Sequence, residues 1–112
     1  MNYRQITHDY SVSGQIAPEE VAAIKAAGFR SVICNRPDGE QAGQPPAEQV
    51  RAAAESAGLE FRYIPVISGR ITDEDVAGQA AALESLPGPV FAYCRSGARC
   101  TNLFALAREA RS

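Results

Sequence analysis

The chain has 112 residues, a net charge of -2 and 46% hydrophobic residues. This length fits one domain with one core, assigned to residues 1–112, and is too short for a second catalytic domain. The small net charge and the lack of a Lys/Arg run argue against nucleic-acid or membrane-surface binding. Because the sequence has neither an apolar run of about 18 residues nor a signal-peptide pattern, we expect a cytoplasmic protein with no membrane partner.

The cysteine and histidine content limits the chemistry further. Three cysteines, an odd number, do not form a disulfide framework and fit a reducing compartment. The single histidine, His8, argues against a zinc site built on histidines, so we predict no metal and no cofactor. A Ser-His-Asp triad would need His8, and its position near the amino terminus does not support one.

The first half of the chain reads as strand, helix, strand. Residues 10–16 form a weak strand pattern. Residues 18–27 predict a helix, because Pro18 suits a first helical position and Gly28 suits a stop. Residues 29–35 then form a second, more apolar strand.

The second half repeats this alternation. Residues 45–57 predict a helix that ends at a glycine, and residues 61–66 predict a third strand. A capping-box pattern opens a helix over residues 72–85. Residues 90–93 predict the last strand, and the last helix begins near Arg99.

Helices of about a dozen residues between short apolar strands imply crossover connections. The sequence therefore predicts an α/β fold with a mostly parallel sheet of about four or five strands and helices on both faces. In such sheets ligands bind at the carboxyl ends of the strands. Cys94 falls at one of these ends.

Cys94 follows the last strand and directly precedes a predicted helix. Backbone N–H groups converge in such a turn, and the helix dipole adds positive charge there. Beside two arginines, the pKa of this thiol should be depressed, which makes Cys94 a candidate nucleophile. The alternative is a small buried hydrophobe near solvated arginines. The predicted catalytic residues are Cys94 and Arg99, and the predicted anion-binding loop contains Arg95, Ser96, Gly97 and Ala98.

Four segments carry a resemblance to a known family: residues 35–40 (NRPDGE), 63–66 (YIPV), 71–72 (IT) and 92–99 (AYCRSGAR). Across nearly its whole length the chain resembles the DUF442 family, the phosphatase-like domain of beta-lactamase hydrolase-like proteins. The resemblance implies the fold of the dual-specificity protein phosphatases. It also implies a partner enzyme, either a metallo-hydrolase or a persulfide dioxygenase.

The loop departs from the pattern of cysteine-dependent phosphatases in three ways. Four residues separate Cys94 from Arg99, where phosphatases have five, and Cys100 stands at the place of the phosphatase arginine. Tyr93 replaces the histidine that usually precedes the nucleophile. Residues 67–71 contain no acid to protonate a leaving oxygen. The shorter loop resembles that of the rhodanese sulfurtransferases, which hold a persulfide.

These departures favour sulfur transfer as the predicted function. The Cys94 thiolate would take sulfane sulfur from a persulfide or thiosulfate, whose leaving group needs no proton. The alternative is a cysteine-dependent phosphatase that forms a phosphocysteine, and a second alternative is a non-catalytic anion-binding or docking domain. The predicted substrate is small and either anionic or a carrier of sulfane sulfur.

Several further residues are candidates for accessory roles. Cys100 could hydrogen-bond the thiolate, resolve oxidised Cys94 as a disulfide, or simply be buried in place of a serine. Arg36 is either a second anion contact or a solvated loop arginine, and Cys34 is interpreted as core. The candidate general acids are Asp73 and Asp75, which also suit a first helical turn, and Asp38 and Glu40 in the loop over residues 36–44.

Overall fold

The computed structural model describes residues 2–111 and folds them around a five-stranded sheet. The strands are β1 (Arg4–Thr7), β2 (Tyr10–Ser13), β3 (Ser31–Cys34), β4 (Glu60–Tyr63) and β5 (Val90–Tyr93). Their order across the sheet is β1-β2-β5-β3-β4, with β1 antiparallel to β2 and every other pairing parallel. The last strand, β5, is therefore central.

Helices cover both faces of the sheet. Buried side chains form two clusters: α1 and α2 contribute to one, and α3 and α4 to the other. The predicted fold class is confirmed. Within residues 2–111 no helix is long and apolar enough to cross a membrane. The helices are α1 (Val21–Ala26), α2 (Ala47–Ser56), α3 (Asp73–Ser85) and α4 (Ala98–Arg111), and a 3-10 turn at Pro18–Glu20 precedes α1.

Side chains of β5 alternate between the two faces, as the pleat of a strand requires. Phe91 and Tyr93 belong to the cluster beside α1 and α2. Ala92 and Cys94 belong to the cluster beside α3 and α4. The candidate nucleophile and the residue before it therefore face opposite sides of the sheet.

The parallel strands end level with one another. Tyr93 is the register partner of both Ser13 and Cys34, and Cys34 is also the partner of Tyr63. Because these residues terminate their strands, the segments that follow all emerge at one edge of the sheet. The site is built at this edge.

Two helix starts differ from the sequence prediction. The second helix begins at Ala47 rather than Pro45, because Pro46 is extended (φ -63°, ψ 148°) and a proline disfavours helical backbone in the residue before it. The first helix opens as a 3-10 turn, whose Glu20 carboxylate accepts from the Ala17 N–H at 2.8 Å.

Four strands also differ from the prediction. Strand β2, predicted over residues 10–16, ends at Ser13, and β3, predicted over residues 29–35, covers only Ser31–Cys34. The sequence prediction lacks strand β1, because the segment Arg-Gln-Ile-Thr is short and mostly polar. The prediction extended β4 to Val66, whereas the strand ends at Tyr63. Hydrogen bonding nevertheless continues past that end, because the Ile64 N–H donates to the carbonyl of Cys34 at 2.9 Å and the Val66 N–H donates to that of Asn35 at 3.0 Å.

Candidate active site

The loop between β5 and α4 fixes Cys94 at the edge of the sheet. The Cys94 N–H donates to the Ser13 carbonyl at 3.2 Å, so the pairing of β5 with β2 continues through the cysteine. Cys94 is 1% exposed and packs on the side of α3 and α4. The predicted nucleophile therefore lies beneath the loop, at the end of the central strand.

Gly97 folds the loop back over the sulfur. Its N–H donates to Cys94 Sγ at 3.1 Å. Its φ is +94°, in the left-handed region that residues with a Cβ rarely adopt. Glycine at this position therefore allows the N–H to reach the sulfur without backbone strain.

Gly14, directly after β2, lets a second segment approach the loop. A Cβ at this position would lie 2.9 Å from the carbonyl oxygen of Arg95, too close for an unstrained contact. The Gln15 N–H donates to the same oxygen at 3.4 Å. The sequence analysis assigned Gly14 no role. A glycine at a strand end often marks a close approach of two backbone segments, and this pattern could have indicated its role.

The remaining loop residues lie on the surface. Arg95, Ser96 and Ala98 are exposed. The Ala98 N–H donates to Ser96 Oγ at 3.4 Å, and Ala98 is the first residue of α4. The Thr101 hydroxyl donates to the Gly97 carbonyl at 2.9 Å and ties the turn to the helix.

The sulfur of Cys94 is stabilised as a thiolate. Its pKa is lowered from 9.0 to about 5, chiefly because the Cys100 thiol donates a hydrogen bond to it, while burial acts in the opposite direction. The backbone N–H groups of Cys100, Ser96 and Gly97 lower it further. The sequence predicted this direction from the converging N–H groups, the helix dipole and the neighbouring arginines; the largest contribution in the structure comes from the Cys100 thiol. The thiolate, which is the nucleophilic form, therefore dominates at neutral pH.

The other two cysteines remain thiols. Cys100, in the first turn of α4, is fully buried, and burial raises its pKa well above the usual value. Cys34 packs on the opposite face of the sheet from Cys94 and donates to the Arg36 carbonyl at 3.3 Å. Burial raises its pKa as well. The structure thus brings Cys100 to the site and leaves Cys34 in the core.

Arg99 extends from the first turn of α4 to Glu40. Its two terminal nitrogens donate to the two carboxylate oxygens at 2.7 and 2.8 Å, a bidentate pair. One of them also donates to the Val66 carbonyl at 2.9 Å. The hydrogen bonds from Arg99, with a further one from Arg36, lower the pKa of Glu40 to about 2.

Arg36 reaches the same carboxylate. Its Nε donates to Glu40 Oε1 at 2.9 Å, and its terminal nitrogens donate to Gln15 Oε1 at 3.0 Å and Gln41 Oε1 at 3.3 Å. Only 3% of Arg36 is exposed, so it is not a solvated loop arginine. Sequence reasoning considered Glu40 as an acid and missed its role between two arginines; the spacing of four residues from Arg36 was the signal.

A pocket of about 430 Å³ opens at this edge of the sheet. Its three arginines and one glutamate favour an anionic guest. A second cavity, of about 390 Å³, lies at the opposite end of β5 beside His8 and Phe104, away from the thiolate. We place the active site at the first pocket, which is lined by Arg36, Glu40, Gln41, Ser68, Arg95 and Arg99.

The two aspartates predicted as accessory acids serve helix starts. Asp38 Oδ1 accepts from the Ala47 N–H at 2.8 Å, at the beginning of α2. Asp73 is exposed in the first turn of α3, which Thr72 and Asp75 close with a capping box. Neither aspartate lines the pocket that the three arginines line.

A buried network of polar side chains, which the sequence did not predict, connects the elements that form the site. The Tyr10 hydroxyl donates to the Cys100 carbonyl at 2.8 Å and accepts from Gln79 Nε2 at 3.2 Å. Asn35 donates to Gln79 Oε1 at 2.9 Å and to the Ile64 carbonyl at 3.0 Å. These bonds connect the first turn of α4 to two strand ends and to α3.

Alkylation of Cys94 provides a direct measurement of its thiolate. We expect its labelling rate with iodoacetamide to be nearly constant above pH 6 and to fall with a midpoint near pH 5, because the pKa is about 5. In Cys100→Ala the midpoint should move upward, because the main hydrogen bond to the sulfur is lost. Peptide mass spectrometry across pH gives both values. A wild-type midpoint near the free-thiol value of about 8.5 would contradict the thiolate and favour a docking domain.

The chain matches the family model described as beta-lactamase hydrolase-like protein, phosphatase-like domain, over residues 2–111. The chain belongs to this family. It is similar to a beta-lactamase hydrolase-like protein of Agrobacterium fabrum, with 36% identity over 102 residues that cover 91% of this chain and 24% of that protein. The chain thus spans about a quarter of the length of the curated relatives it matches.

Solved structures of family members share the fold closely. A phosphatase-like protein from Neisseria meningitidis is 32% identical, with a TM-score of 0.87 and coverage of 97% of this chain and 78% of that one. A phosphatase-like DUF442 protein from Shewanella putrefaciens is 25% identical, with a TM-score of 0.82 and coverage of 95% and 66%. The resemblance seen in the sequence and the fold it implied are confirmed.

The comparisons also bear on the predicted function. Membership in a phosphatase-like family supports the expected cysteine-dependent enzyme, which was predicted to be a sulfurtransferase or a phosphatase-like hydrolase. It supports the phosphatase alternative better than sulfur transfer. The partner enzyme and the cytoplasmic location stay predictions.

Proposed function

We propose that this family member is a cysteine-dependent phosphatase that hydrolyses phosphate esters through a phosphocysteine at Cys94. The observation that carries the proposal is the Cys94 thiolate, with a pKa of about 5, under a loop of N–H donors whose Arg95, together with Arg99, lines a pocket rich in arginine. Converging N–H groups and guanidinium groups bind phosphate oxygens well. The family membership supports the same chemistry.

The reaction proceeds in two displacements at phosphorus. The Cys94 thiolate attacks phosphorus, so that the S–P bond forms as the bond to the leaving oxygen breaks. The N–H groups of the loop stabilise the negative charge on the phosphoryl oxygens. Water then attacks phosphorus and the S–P bond breaks. The hydrogen bond from the Cys100 thiol stabilises the departing thiolate, which assists this second step.

The arginines have different positions relative to this chemistry. Arg99 and Arg36 are buried and oriented by Glu40, so they provide fixed positive charge at the pocket. Arg95 is exposed at the pocket rim, where its side chain can close on an incoming phosphate. Fixed charges suit catalysis because they need no reorganisation as charge develops on the phosphoryl group.

The leaving group should strongly affect the rate. Among the described residues, Glu40 is the carboxylate that lines the pocket. Its pKa is about 2, so it is ionised at neutral pH and cannot donate a proton to the leaving oxygen. We therefore expect kcat/KM for 4-nitrophenyl phosphate to exceed that for phenyl phosphate by about 10²-fold, the size of a typical general-acid contribution. Phosphate release from the matched pair measures this. Equal rates would show that another group protonates the leaving oxygen.

The mass of the adduct on Cys94 distinguishes a phosphatase from a sulfurtransferase. After rapid quenching during turnover of 4-nitrophenyl phosphate, we expect Cys94 to gain the mass of one phosphoryl group. Incubation with thiosulfate or glutathione persulfide tests sulfur transfer, which would add one sulfur atom to Cys94. A sulfur adduct combined with no phosphatase turnover would overturn the proposal in favour of the sulfurtransferase.

A further inference from the structure

Cys94 and Cys100 form a pair of sulfur atoms in complementary protonation states. The thiol of Cys100 donates its hydrogen to the sulfur of Cys94. Both residues belong to the same packed cluster, between the sheet and helices α3 and α4. A nucleophilic thiolate therefore lies in direct contact with a protonated thiol inside the protein.

The surroundings restrict which thiol could react with Cys94. Cys94 is 1% exposed and Cys100 is 0% exposed, so a bulky thiol from solution has poor access to either sulfur. Cys34 packs on the other face of the sheet. Cys100 is thus the one cysteine of the described residues that contacts Cys94.

We propose that Cys94 and Cys100 constitute a redox-active dithiol that reacts with hydroperoxides and closes to an internal disulfide. The Cys94 thiolate attacks the O–O bond, becomes a sulfenic acid and releases hydroxide or an alkoxide. The Cys100 thiol then condenses with the sulfenic acid, so that the S–S bond forms and water leaves. In total, the two cysteines lose two electrons as the disulfide forms, and the peroxide gains them. A small dithiol restores the pair by thiol–disulfide exchange.

Disulfide formation with Cys100 is reversible and therefore protects Cys94 from irreversible oxidation to sulfinic acid. A sulfenic acid with no thiol beside it proceeds with more peroxide to sulfinic acid, which ordinary thiols do not reduce. The contact with Cys100 makes condensation intramolecular and therefore fast relative to this second oxidation. Hydrogen peroxide is close to water in size, so it needs less room to reach the Cys94 sulfur than a bulky thiol does. The redox chemistry itself does not depend on the phosphatase proposal.

Tryptic mapping after peroxide treatment tests the pair. The three cysteines fall in separate tryptic peptides, residues 31–51, 71–95 and 100–108, because the bond before Pro37 resists cleavage. After treatment with hydrogen peroxide near one equivalent, followed by N-ethylmaleimide, we expect a linked peptide joining 71–95 to 100–108. The intact protein should lose two hydrogens and regain them with dithiothreitol. A Cys34→Ser variant should form the same linkage.

Cys100→Ser and Cys100→Ala provide the matched comparison. Serine keeps a hydrogen-bond donor beside Cys94 without a second sulfur, and far-UV circular dichroism verifies that each variant is folded. In both variants, we expect peroxide to convert Cys94 to sulfinic acid. Dithiothreitol should then fail to restore the alkylation of Cys94 by iodoacetamide. The proposal is overturned if wild-type Cys94 reaches sulfinic acid without a linked peptide, if it links to Cys34, or if disulfides form only between molecules.

Discussion

Replacing Cys94 by serine should abolish hydrolysis of 4-nitrophenyl phosphate. We expect kcat/KM to fall by on the order of 10⁴-fold or more, as seen when an enzyme loses its nucleophile. A serine hydroxyl cannot supply the anionic nucleophile that the Cys94 pKa of about 5 provides at neutral pH. Release of nitrophenol, measured with wild-type and variant protein at equal concentration, gives the ratio.

Cys34→Ser is the matched control for this experiment. Cys34 is also a buried cysteine at a strand end, but its side chain faces away from the pocket, on the α1 and α2 side. Its thiol donates to the Arg36 carbonyl at 3.3 Å, and a serine hydroxyl can make the same bond. We expect this variant to keep most of the wild-type rate. Unchanged turnover in Cys94→Ser would remove Cys94 from the mechanism.

Glu40→Gln should produce the largest loss of stability among substitutions at the site. The wild-type carboxylate accepts from Arg99 at 2.7 and 2.8 Å and from Arg36 at 2.9 Å, and both arginines are buried. A neutral amide leaves two buried cations without a counter-charge. A pKa lowered from 4.5 to about 2 would correspond to about 3.5 kcal/mol at about 1.4 kcal/mol per unit, but Glu40 is exposed and solvent screens the interaction. We therefore expect the free energy of unfolding to fall by about 1 to 2 kcal/mol at pH 7.

The pH dependence of this difference has a definite sign. Because the folded-state pKa of Glu40 lies below its unfolded value, the stabilisation is complete above about pH 4.5 and is lost as the pH falls toward 2. Urea unfolding of both proteins at pH 7 and pH 3 should therefore show a smaller difference at the lower pH. Glu48→Gln is the control, since Glu48 is 79% exposed and pairs with Arg51 on the surface. That variant should change stability by less than about 1 kcal/mol. An equal effect of the two substitutions would contradict the role of Glu40.

Local sequence patterns predicted much of the fold. Strand β5 has the predicted bounds, and α3 begins at its capping box, because each depends on neighbouring residues. The strand-to-helix turn similarly identified Cys94. Strand β1 escaped prediction because its pairing with β2, rather than its own composition, makes it a strand.

The parts of the site that depend on distant contacts were harder to predict. Glu40 and Arg99 are 59 residues apart, and no local pattern connects them. Gln79 lies in the middle of α3 and would ordinarily be assigned to a solvated surface, yet it is fully buried and bonded to Tyr10 and Asn35. Each of these contacts joins residues from separate elements, so it forms only in the complete fold.

The alternation of side chains along β5 has a consequence for engineering this protein. Tyr93 packs among residues beside α1 and α2, whereas Cys94, one peptide bond later, faces α3 and α4. The sheet itself therefore separates the two side chains. A redesign of the α1 and α2 core could substitute position 93 without touching the thiolate, and a redesign of thiolate reactivity could vary position 100 without disturbing that core. The two faces of the sheet can be optimised independently.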